Sequence, residues 1–375
     1  MINLAIESRA KKIKDFVLPK TIKNFIISIM QEEMSKPLFL TGKTGNGKTS
    51  IARYLSAYLQ CNNRELTKDK ELGEFYEPCG KCDSCLSIFE GRGNRDTYEI
   101  NCAVSNQKED LDQLAEKFKK KPFQDKYSIY ILDEFQLVKT GQDSILKPLE
   151  EPYKNLKIFI MTNEGFKVKS TIKGRCNIIK LPNPSIVEMA QHLSNLVDIY
   201  KLDVPKEKLA KICVNIALMS NESIRDSISN LETIIKSKAY EIEEIEEILS
   251  TISLTSIENF LMKLLNKDKS LFSDLEVYKT KIPFSELINK LLFYLNSLYK
   301  LEIDIKPTNN SFINTSLENN YNKIVDKNNI KELYLTIKKV LNISTMYNPL
   351  SSYTYFGFEL IDYIKTNKVR RRVAG

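Results

Sequence analysis

Hydrophobic and polar residues follow two different periods along the first half of the chain. Short runs rich in β-branched and aromatic residues are separated by longer segments in which apolar residues recur every three or four positions. This order is typical of βαβ units, which build a parallel sheet with helices on its faces. The predicted strands are 36–42, 97–102, 127–134, 156–163 and 177–182, and the predicted helices include 49–61 and 108–121.

The second half of the chain has a different pattern. Two prolines in the stretch LPNPS, 181–185, mark a boundary, and almost everything beyond it has the period of a helix. A weaker boundary falls at 249–256. We therefore predict a first domain over 1–182, a helical domain over 183–249 and an all-α domain over 250–375. The predicted helices here are 185–200, 205–220, 221–237, 284–300 and 330–344, with a polar loop at 304–322.

Composition and charge narrow the class of protein. The 375 residues are 42% apolar and 28% charged, as expected for a globular protein of two or three domains. No run of about 18 uncharged apolar residues is present, so no membrane span is predicted. The start lacks a secretory pattern, and in the expected reducing cytoplasm clustered cysteines favour a metal or catalysis over disulfides. The net charge of +8 permits contact with nucleic acid without establishing it.

A phosphate-binding loop is the most specific motif. The segment 42–49, GKTGNGKT, matches GxxxxGK[ST] and stands between a predicted strand and a predicted helix, as the motif requires. Its glycines let backbone N–H groups turn toward phosphates, and the helix N-terminus adds a favourable dipole. Lys48 is predicted to reach the β- and γ-phosphates, and the Thr49 hydroxyl to bind Mg²⁺. The predicted ATP-binding residues are Gly42, Lys43, Thr44, Gly45, Asn46, Gly47, Lys48, Thr49 and Ser50.

Acidic and polar residues end the predicted strands that follow. The apolar run YILDE, 130–134, closes on two acids; Asp133 is predicted to hold Mg²⁺ and Glu134 to act as the general base on water. Together with the phosphate loop, this pair favours ATP hydrolysis over nucleotide binding alone. Asn163 ends FIMTN, where an amide could orient the water or touch the γ-phosphate, although such residues more often belong to turns.

Two arginines are further candidates, and the local sequence alone favours an ordinary surface position for each. Arg175 precedes the last predicted strand, in KGRCN, and an arginine near a phosphate can stabilise charge in the transition state. Arg225 stands near the start of a predicted helix, in NESIRDSI, beside Asp226 on a face that could simply be solvated.

Four cysteines form a candidate metal site in a predicted insert over about 61–86. Cys79, Cys82 and Cys85 follow CxxCxxC spacing, and Cys61 lies upstream at the end of the predicted phosphate-loop helix. Thiolates three residues apart around a Pro–Gly turn can meet one tetrahedral ion, and four thiolates leave no open position, which fits structural Zn²⁺. An iron–sulfur cluster is the competing metal. The other cysteines, Cys102, Cys176 and Cys213, are expected to be buried.

In their order and spacing these motifs resemble the gamma/tau subunit of the bacterial DNA polymerase III clamp loader, an AAA+ ATPase that opens a sliding clamp and closes it on primed DNA. The resemblance covers about 10–250, through LTGKTGNGKTSIARYLSAYLQC, PCGKCDSC, YILDEFQLV, IFIMTN, GRC and SIRDSI. It implies a five-stranded P-loop AAA+ domain with a zinc insert, a helical lid and an all-α collar that joins five subunits in a ring. The short length fits a phage-encoded or divergent short form.

The resemblance also implies roles for residues that are ambiguous alone. Asn163 matches the sensor 1 position. Arg175 matches the arginine finger, which acts on ATP held by the neighbouring subunit. Arg225 matches the sensor 2 arginine of the lid, which acts on the subunit's own ATP. The implied catalytic set is Glu134, Lys48, Asn163, Arg175 and Arg225, with Thr49 and Asp133 on magnesium.

The chain departs from the family pattern in three places. Gly174 replaces the serine of the family's SRC motif, and Gln136 stands where histidine is usual. The N-terminal segment RAKKIKDFVLP, 9–19, differs from the one that lines the adenine pocket, so base contacts near Phe16 and Val17 stay open.

The implied function is that of an ATP-hydrolysing motor subunit of a clamp loader, with ATP, Mg²⁺ and structural Zn²⁺ as cofactors. The implied partners are the other subunits of the ring, the sliding clamp and primer–template DNA, contacted through phosphates because a loader acts at any primer junction. The segments 103–110 and 117–121 are candidate DNA contacts, although a basic run is more often a solvated face. Two alternatives remain: an ATP-binding scaffold subunit like delta-prime, and a zinc-dependent DNA-binding AAA+ protein with another role.

Overall fold

The computed structural model describes most of the chain up to residue 301 and a few helical residues beyond it. Of the predicted segments, the loop 304–322 and most of the helix 330–344 lie outside the described residues. The described residues are 4–91, 96–151, 153–220, 222–249, 251–265 and 268–301, with Leu335, Ile337, Ser352, Tyr353, Tyr355, Phe356, Gly357, Glu359 and Leu360.

Contacts divide the chain into two units. The first comprises 1–184 and 222–232, and the second comprises 185–221 and 233–375. The domain boundaries drawn from the sequence stay predictions. Among the described helices, none combines the length and the apolar composition needed to cross a membrane.

The first unit is built on a five-stranded parallel sheet, as predicted. The strand that leads into the phosphate loop lies inside this sheet, and its residues Leu38 and Thr41 pair with Phe159 and Thr162. The strands of this unit are β1 Leu38–Thr41, β2 Glu65–Asp69, β3 Gly73–Glu77, β4 Thr97–Asn101, β5 Ser128–Asp133, β6 Leu156–Thr162 and β7 Asn177–Lys180. The spatial order in the five-stranded sheet is β4-β5-β6-β1-β7.

Helices cover both faces of the sheet because successive strand residues point to opposite sides. Leu38 and Leu40 belong to one core, which includes apolar residues of the helices Lys20–Gln31 and Lys48–Gln60. Phe39, between them, belongs to the opposite core with Leu111 and Leu114. The helices of this unit are α1 Leu4–Glu7, α2 Lys20–Gln31, α3 Lys48–Gln60, α4 Asp83–Glu90, α5 Lys108–Phe118, α6 Leu146–Glu150 and α7 Ser170–Lys173, and α10 Ile224–Ser237 begins here.

The insert between α3 and β4 contains an antiparallel hairpin, β2–β3, which the sequence pattern did not predict. Glu77, at the end of β3, is only 3% exposed. Its Oε1 accepts hydrogen bonds from the backbone N–H of Ile13 at 2.7 Å and from the Tyr54 hydroxyl at 3.2 Å. Its Oε2 accepts from the Thr67 hydroxyl at 2.8 Å. A buried carboxylate with these partners fixes the hairpin to the body of the unit.

The second unit is helical within its described residues, in agreement with the sequence pattern. Its first helix begins after Pro184 because Ser185 caps it: the Ser185 Oγ accepts the backbone N–H of Glu188 at 3.2 Å. Ile257, Phe260, Leu287 and Leu291 are fully buried in one core of this unit. The helices are α8 Ile186–Tyr200, α9 Lys206–Met219, the end of α10, α11 Ile242–Ile248, α12 Leu254–Leu265, α13 Leu271–Lys281 and α14 Phe284–Leu301.

Candidate functional site

The predicted phosphate loop connects β1 with α3. Gly45 and Gly47 have φ angles of +84° and +87°, a region that residues with a side chain rarely adopt. A Cβ built on Gly45 would lie 2.1 Å from Oγ of Ser223, whereas a Cβ on Gly47 would meet nothing within 4 Å. Gly45 is therefore required by its conformation and by its surroundings, and Gly47 by its conformation alone.

Lys48 begins α3 and is 7% exposed. Its Nζ donates to the carbonyl oxygens of Gly42 at 2.8 Å and Lys43 at 3.1 Å, and to Oδ1 of Asn163 at 2.5 Å. Burial lowers the pKa of Lys48, and the negative charge of Glu134 opposes that shift. An anion beside Nζ would compensate the burial, as expected for the lysine of a phosphate loop. Thr49 and Ser50 follow in the same turn.

The acidic pair lies at the end of β5. Glu134 has a φ of +54°, in the left-handed region, which costs a residue with a side chain about 1 kcal/mol or more. Its backbone N–H donates to Oδ1 of Asp133 at 2.9 Å. Burial raises the pKa of Asp133, and this N–H opposes the rise. A divalent cation at Asp133 would stabilise its charged form in the same way.

A hydrogen-bonded group joins the ends of β5 and β6 to the phosphate loop. Nδ2 of Asn163 donates to both carboxylate oxygens of Glu134, while its Oδ1 accepts from Lys48. Gln136 donates from Nε2 to Glu134, and its Oε1 accepts from the Thr162 hydroxyl at 2.7 Å. The predicted residues Lys48, Glu134 and Asn163 are thus brought together. Gln136 also belongs to this group, although its sequence position indicated only a departure from the family pattern.

The start of α10 lies against the phosphate loop within the first unit. The backbone N–H of Arg225 donates to the carbonyl oxygen of Gly45 at 3.3 Å. The ammonium of Lys43 lies 3.5 Å from Oε2 of Glu222, and both side chains are about half exposed. The backbone of Arg225, the predicted sensor 2 arginine, therefore lies directly beside the phosphate loop.

A chain of side-chain hydrogen bonds, here called the polar relay, connects Asn46 of the phosphate loop with Glu222, just before α10. Asn46 is 3% exposed, and its Nδ2 donates to Oδ1 of Asn183 at 3.1 Å. Nδ2 of Asn183 in turn donates to Oε2 of Glu222 at 2.6 Å. Among the described residues, Oδ1 of Asn46 is buried without a hydrogen-bond partner. Asn183 and Glu222 were not predicted, because their contacts join residues far apart in the chain.

Arg175 lies after α7, and its hydrogen bonds go to residues outside the group around Lys48 and Glu134. Its Nη2 donates to the Glu150 carboxylate, and its Nη1 donates to the carbonyl oxygen of Thr171 at 2.5 Å. Within the part of the chain that the structure describes, Arg175 hydrogen-bonds to Glu150 and Thr171 and not to Lys48 or Glu134, so its action on a neighbouring subunit's ATP stays a prediction.

The serine of the family's SRC motif would fit at Gly174. A Cβ there would lie 3.5 Å from the carbonyl oxygen of Ser170, an ordinary contact. Its backbone is right-handed helical, which any residue adopts. The glycine is therefore not required by the local structure.

The four cysteines of the insert converge. The sulfur atoms of Cys61, Cys79, Cys82 and Cys85 all lie within 4.8 Å of one another. The backbone N–H of Cys79 lies 3.4 Å from Sγ of Cys61, and that of Cys82 lies 3.4 Å from Sγ of Cys79. Sulfurs around a tetrahedral zinc ion, each about 2.3 Å from it, stand about 3.8 Å apart. The donor set therefore fits a structural Zn²⁺, with an iron–sulfur cluster as the competing occupant.

The thiol groups of this cluster differ in acidity. Burial raises the pKa of Cys61 and of Cys85. At Cys79 burial acts in the same sense, but the backbone N–H groups of Lys81 and Cys82 overcome it and lower the pKa to about 7. A metal ion would hold all four sulfurs as thiolates.

The other residues considered from the sequence lie in the core or at the surface, outside the phosphate-loop site and the cysteine cluster. Cys102 and Cys213 are each 1% exposed, as expected, and Cys176 is half-buried. Phe16 packs edge-on against Tyr54 at 5.5 Å in the core, which is a structural position. In the basic run 117–121, Phe118 is buried and the lysines are exposed.

Comparison with known proteins gives consistent relatives. The family model described as DNA polymerase III, delta subunit, matches 17–185, and a model described as a domain of unknown function (DUF4747) matches 239–346. The chain is 28% identical over 307 residues to DNA polymerase III subunit gamma of Buchnera aphidicola subsp. Baizongia pistaciae, covering 80% of this chain and 79% of that protein. It is 27% identical over 306 residues to subunit tau of Bacillus subtilis, covering 78% of this chain and 51% of that protein.

Solved structures also align with most of the chain. The Bacillus subtilis DNA clamp loader delta protein aligns with 91% of this chain and 99% of its own, at 9% identity and a TM-score of 0.40. The RuvB Holliday junction branch migration motor of Thermotoga maritima aligns with 76% of this chain and 92% of its own, at 13% identity and a TM-score of 0.46.

Proposed function

Because the chain is a relative of the gamma/tau subunits of bacterial DNA polymerase III, we propose that it is the ATP-hydrolysing subunit of a clamp loader. In this role it opens a sliding clamp and places it on primer–template DNA. The observation that carries the proposal is the hydrogen-bonded group of Lys48, Asn163 and Glu134 beside Asp133. This group combines a phosphate-binding cation, a candidate base and a candidate magnesium ligand in one place.

Binding of ATP would use the loop between β1 and α3. Nζ of Lys48 exchanges its carbonyl partners for oxygens of the β- and γ-phosphates, and backbone N–H groups of the loop bind the phosphates. Thr49 and Asp133 are the residues that would hold Mg²⁺, which when bound offsets the charge of the phosphates. Arg225, beside the loop, would add positive charge from the start of α10.

Hydrolysis follows from the position of Glu134. Its carboxylate accepts a proton from water while the water oxygen attacks the γ-phosphorus, and the bond from that phosphorus to the bridging oxygen breaks, leaving ADP and phosphate. Asn163 and Gln136 orient the carboxylate through the hydrogen bonds described above. In an assembly, Arg175 of one subunit would stabilise the transition state at its neighbour.

We also propose that the chain works in a larger assembly on DNA. The helices of the second unit would join five subunits into a ring (a pentamer), with the chain acting in the cytoplasm, where bacterial or phage DNA is replicated. DNA would be held through its phosphates, since a loader works at any sequence. Structural Zn²⁺ on the four cysteines would brace the insert.

The test is the steady-state ATPase rate of the chain assembled with its partner subunits, with and without primed DNA and clamp. We expect stimulation by DNA and clamp together, and its loss in Lys48→Ala and Glu134→Gln. Lys36→Ala, at an exposed lysine before β1, is the matched control and should keep the rate. Hydrolysis indifferent to DNA and clamp would overturn the loader role, and no hydrolysis in any combination would favour a delta-prime-like scaffold.

A further inference from the structure

Five lysines line a single depression of about 480 Å³ on the first unit, here called the lysine cleft. Lys14, Lys20 and Lys23 come from the segment around the start of α2, and Lys68 and Lys70 come from the hairpin of the cysteine insert. The other lining residues are Leu18, Asp69, Glu71 and Leu72. The two walls are thus supplied by parts of the chain about fifty residues apart, which no sequence motif connects.

The charge of the lysine cleft is unbalanced. Among the lining residues, the five lysines exceed Asp69 and Glu71 by three charges, and Glu74, which pairs with Lys68, reduces this excess. Oδ1 of Asp69 accepts the backbone N–H groups of Glu71 at 2.8 Å and Leu72 at 2.9 Å, so it is engaged in the hairpin turn. These N–H groups lower the pKa of Asp69, and the charges of Lys23 and Lys14 lower it further. A concave surface of one sign of charge concentrates ions of the opposite sign.

The two walls are held in place by ordered contacts. Glu77, buried at the base of the hairpin, binds the backbone N–H of Ile13, the residue before Lys14. Nζ of Lys23 donates to the carbonyl oxygen of Lys14 at 3.1 Å, which orders the first wall. Lys68 pairs with Glu74 at 2.9 Å, with both side chains mostly exposed, so a phosphate could replace this partner at little cost.

We propose that the lysine cleft binds backbone phosphates of nucleic acid, and that the cysteine insert holds Lys68 and Lys70 opposite α2 for this purpose. Ammonium groups suit this ligand because they act as point charges and accept a phosphate from many directions. No aromatic side chain is among the described residues that line the cleft, so base stacking is not expected there. The first turn of α2 carries no acidic residue that would repel a phosphate.

This inference extends the proposed function, which already requires contact with DNA phosphates, and it gives the cysteine insert a task in binding. It does not depend on ATP hydrolysis. Its failure and the failure of the proposed function can therefore be told apart by measuring DNA binding and ATPase rate on the same variants.

The experiment measures binding of the full chain to a labelled mixed-sequence primer–template by fluorescence anisotropy at several salt concentrations. For Lys20→Ala/Lys70→Ala we expect affinity about 10-fold lower and a shallower dependence on salt, by roughly one phosphate contact per lysine. Lys36→Ala/Lys154→Ala removes two exposed lysines that lie outside the cleft and is the matched control. Binding lost in the control and kept in the cleft variant would overturn the proposal.

A second pair of variants tests the role of the insert. Cys79→Ser/Cys82→Ser should weaken DNA binding about as much as the lysine variant, whereas affinity for a non-hydrolysable ATP analogue, which reports an intact first unit, should stay within a few-fold. DNA binding unchanged by the loss of these cysteines would overturn the role given to the insert.

Competition identifies the ligand. Unlabelled mixed-sequence DNA should displace the probe from the wild-type chain. Displacement by inorganic phosphate or a mononucleotide at comparable phosphate concentration would indicate a small-molecule site, and displacement by poly-glutamate as effective as by DNA would indicate an acidic protein partner. Either result would overturn the proposal.

Discussion

The side-chain amide of Asn163 donates to both carboxylate oxygens of Glu134, with Nδ2 3.2 Å from Oε1 and 3.0 Å from Oε2. The other end of the same amide accepts from Lys48 at 2.5 Å. Asn163 therefore stands between the cation of the phosphate loop and the candidate base. An ammonium and a carboxylate that met directly here would form a partly buried ion pair and neutralise each other.

The first prediction concerns this spacing. Asn163→Ala should lower kcat for ATP hydrolysis by about 10²-fold, because Lys48 becomes able to pair with Glu134 and withdraw it as a base. Affinity for ATP should fall by only a few-fold. Steady-state kinetics and titration with a non-hydrolysable analogue measure the two quantities separately. An unchanged kcat would show that Asn163 has no part in hydrolysis.

The second prediction separates two glycines of the phosphate loop. Both have positive φ, so Gly47→Ala should destabilise the fold by about 1–2 kcal/mol through backbone strain alone. Gly45→Ala should cost more, because its Cβ would also lie 2.1 Å from Oγ of Ser223. Unfolding by urea, monitored for the first unit, gives the free energies.

Ser223→Gly is the control for that comparison. In a double-mutant cycle it should recover part of the loss caused by Gly45→Ala and none of that caused by Gly47→Ala. Equal costs for the two glycine variants, or equal recovery, would mean that the start of α10 does not lie on the loop in solution.

The third prediction tests whether Arg175 acts on a neighbouring subunit. Lys48→Ala subunits and Arg175→Ala subunits should each be inactive, the latter because a finger contributes about 10³–10⁵ in rate. Mixing them during assembly should restore part of the ATPase rate, since some interfaces would combine an intact Lys48 with an intact Arg175. If mixtures stay inactive, Arg175 serves only its own chain, through Glu150.

The part of the site that the sequence predicted is encoded locally. The phosphate loop needs glycines at fixed positions between a strand and a helix, and Lys48 and Thr49 follow from the spacing. Asp133, Glu134 and Asn163 end apolar strands, and parallel strands bring their carboxyl ends to one edge of the sheet. The convergence of the four cysteines was likewise expected from their spacing and the intervening turn.

The parts that were not predicted depend on distant or atypical residues. The hairpin β2–β3 was missed because ELTKD and GEFYE have few apolar residues in alternation, and its position depends on the buried Glu77. The relay from Asn46 to Glu222 joins residues more than 130 positions apart. Gln136 gave no signal of its own, since a glutamine is informative only once its neighbours are known.

The fourth prediction concerns the metal. Purified protein should carry about one zinc ion per chain, and Cys79→Ser or Cys82→Ser should reduce this content and lower the Tm. Cys213→Ala removes a buried cysteine of the second unit and should leave the metal content unchanged. Elemental analysis distinguishes zinc from iron, and the absorbance of an iron–sulfur cluster would contradict the zinc assignment.

The last prediction concerns acid stability and Glu33. Nζ of Lys126 lies 2.9 Å and 3.2 Å from its two carboxylate oxygens, and the Tyr127 hydroxyl donates to Oε2 at 2.8 Å. The hydrogen bond from Lys126, with that from Tyr127, lowers the pKa of Glu33 to about 2 from its ordinary 4.5. Glu33 therefore binds a proton less readily in the folded state than in the unfolded chain. The stabilisation is complete above about pH 4.5 and is lost as the pH falls toward 2.

Glu33→Gln should consequently lower the free energy of unfolding of the first unit by about 1 kcal/mol at pH 7, a modest value because the carboxylate is partly exposed and screened by solvent. The difference from the wild type should shrink as the pH is lowered from 5 to 3. Glu109→Gln, at another exposed carboxylate of the same unit, controls for the loss of one negative charge. The free energies are measured by urea unfolding at pH 7, 5, 4 and 3. Loss of metal in acid affects the wild type and the Glu33→Gln variant alike, so it does not contribute to the difference between them. A difference that is constant over this range, or one that grows in acid, would show that the contact between Glu33 and Lys126 does not stabilise the folded state.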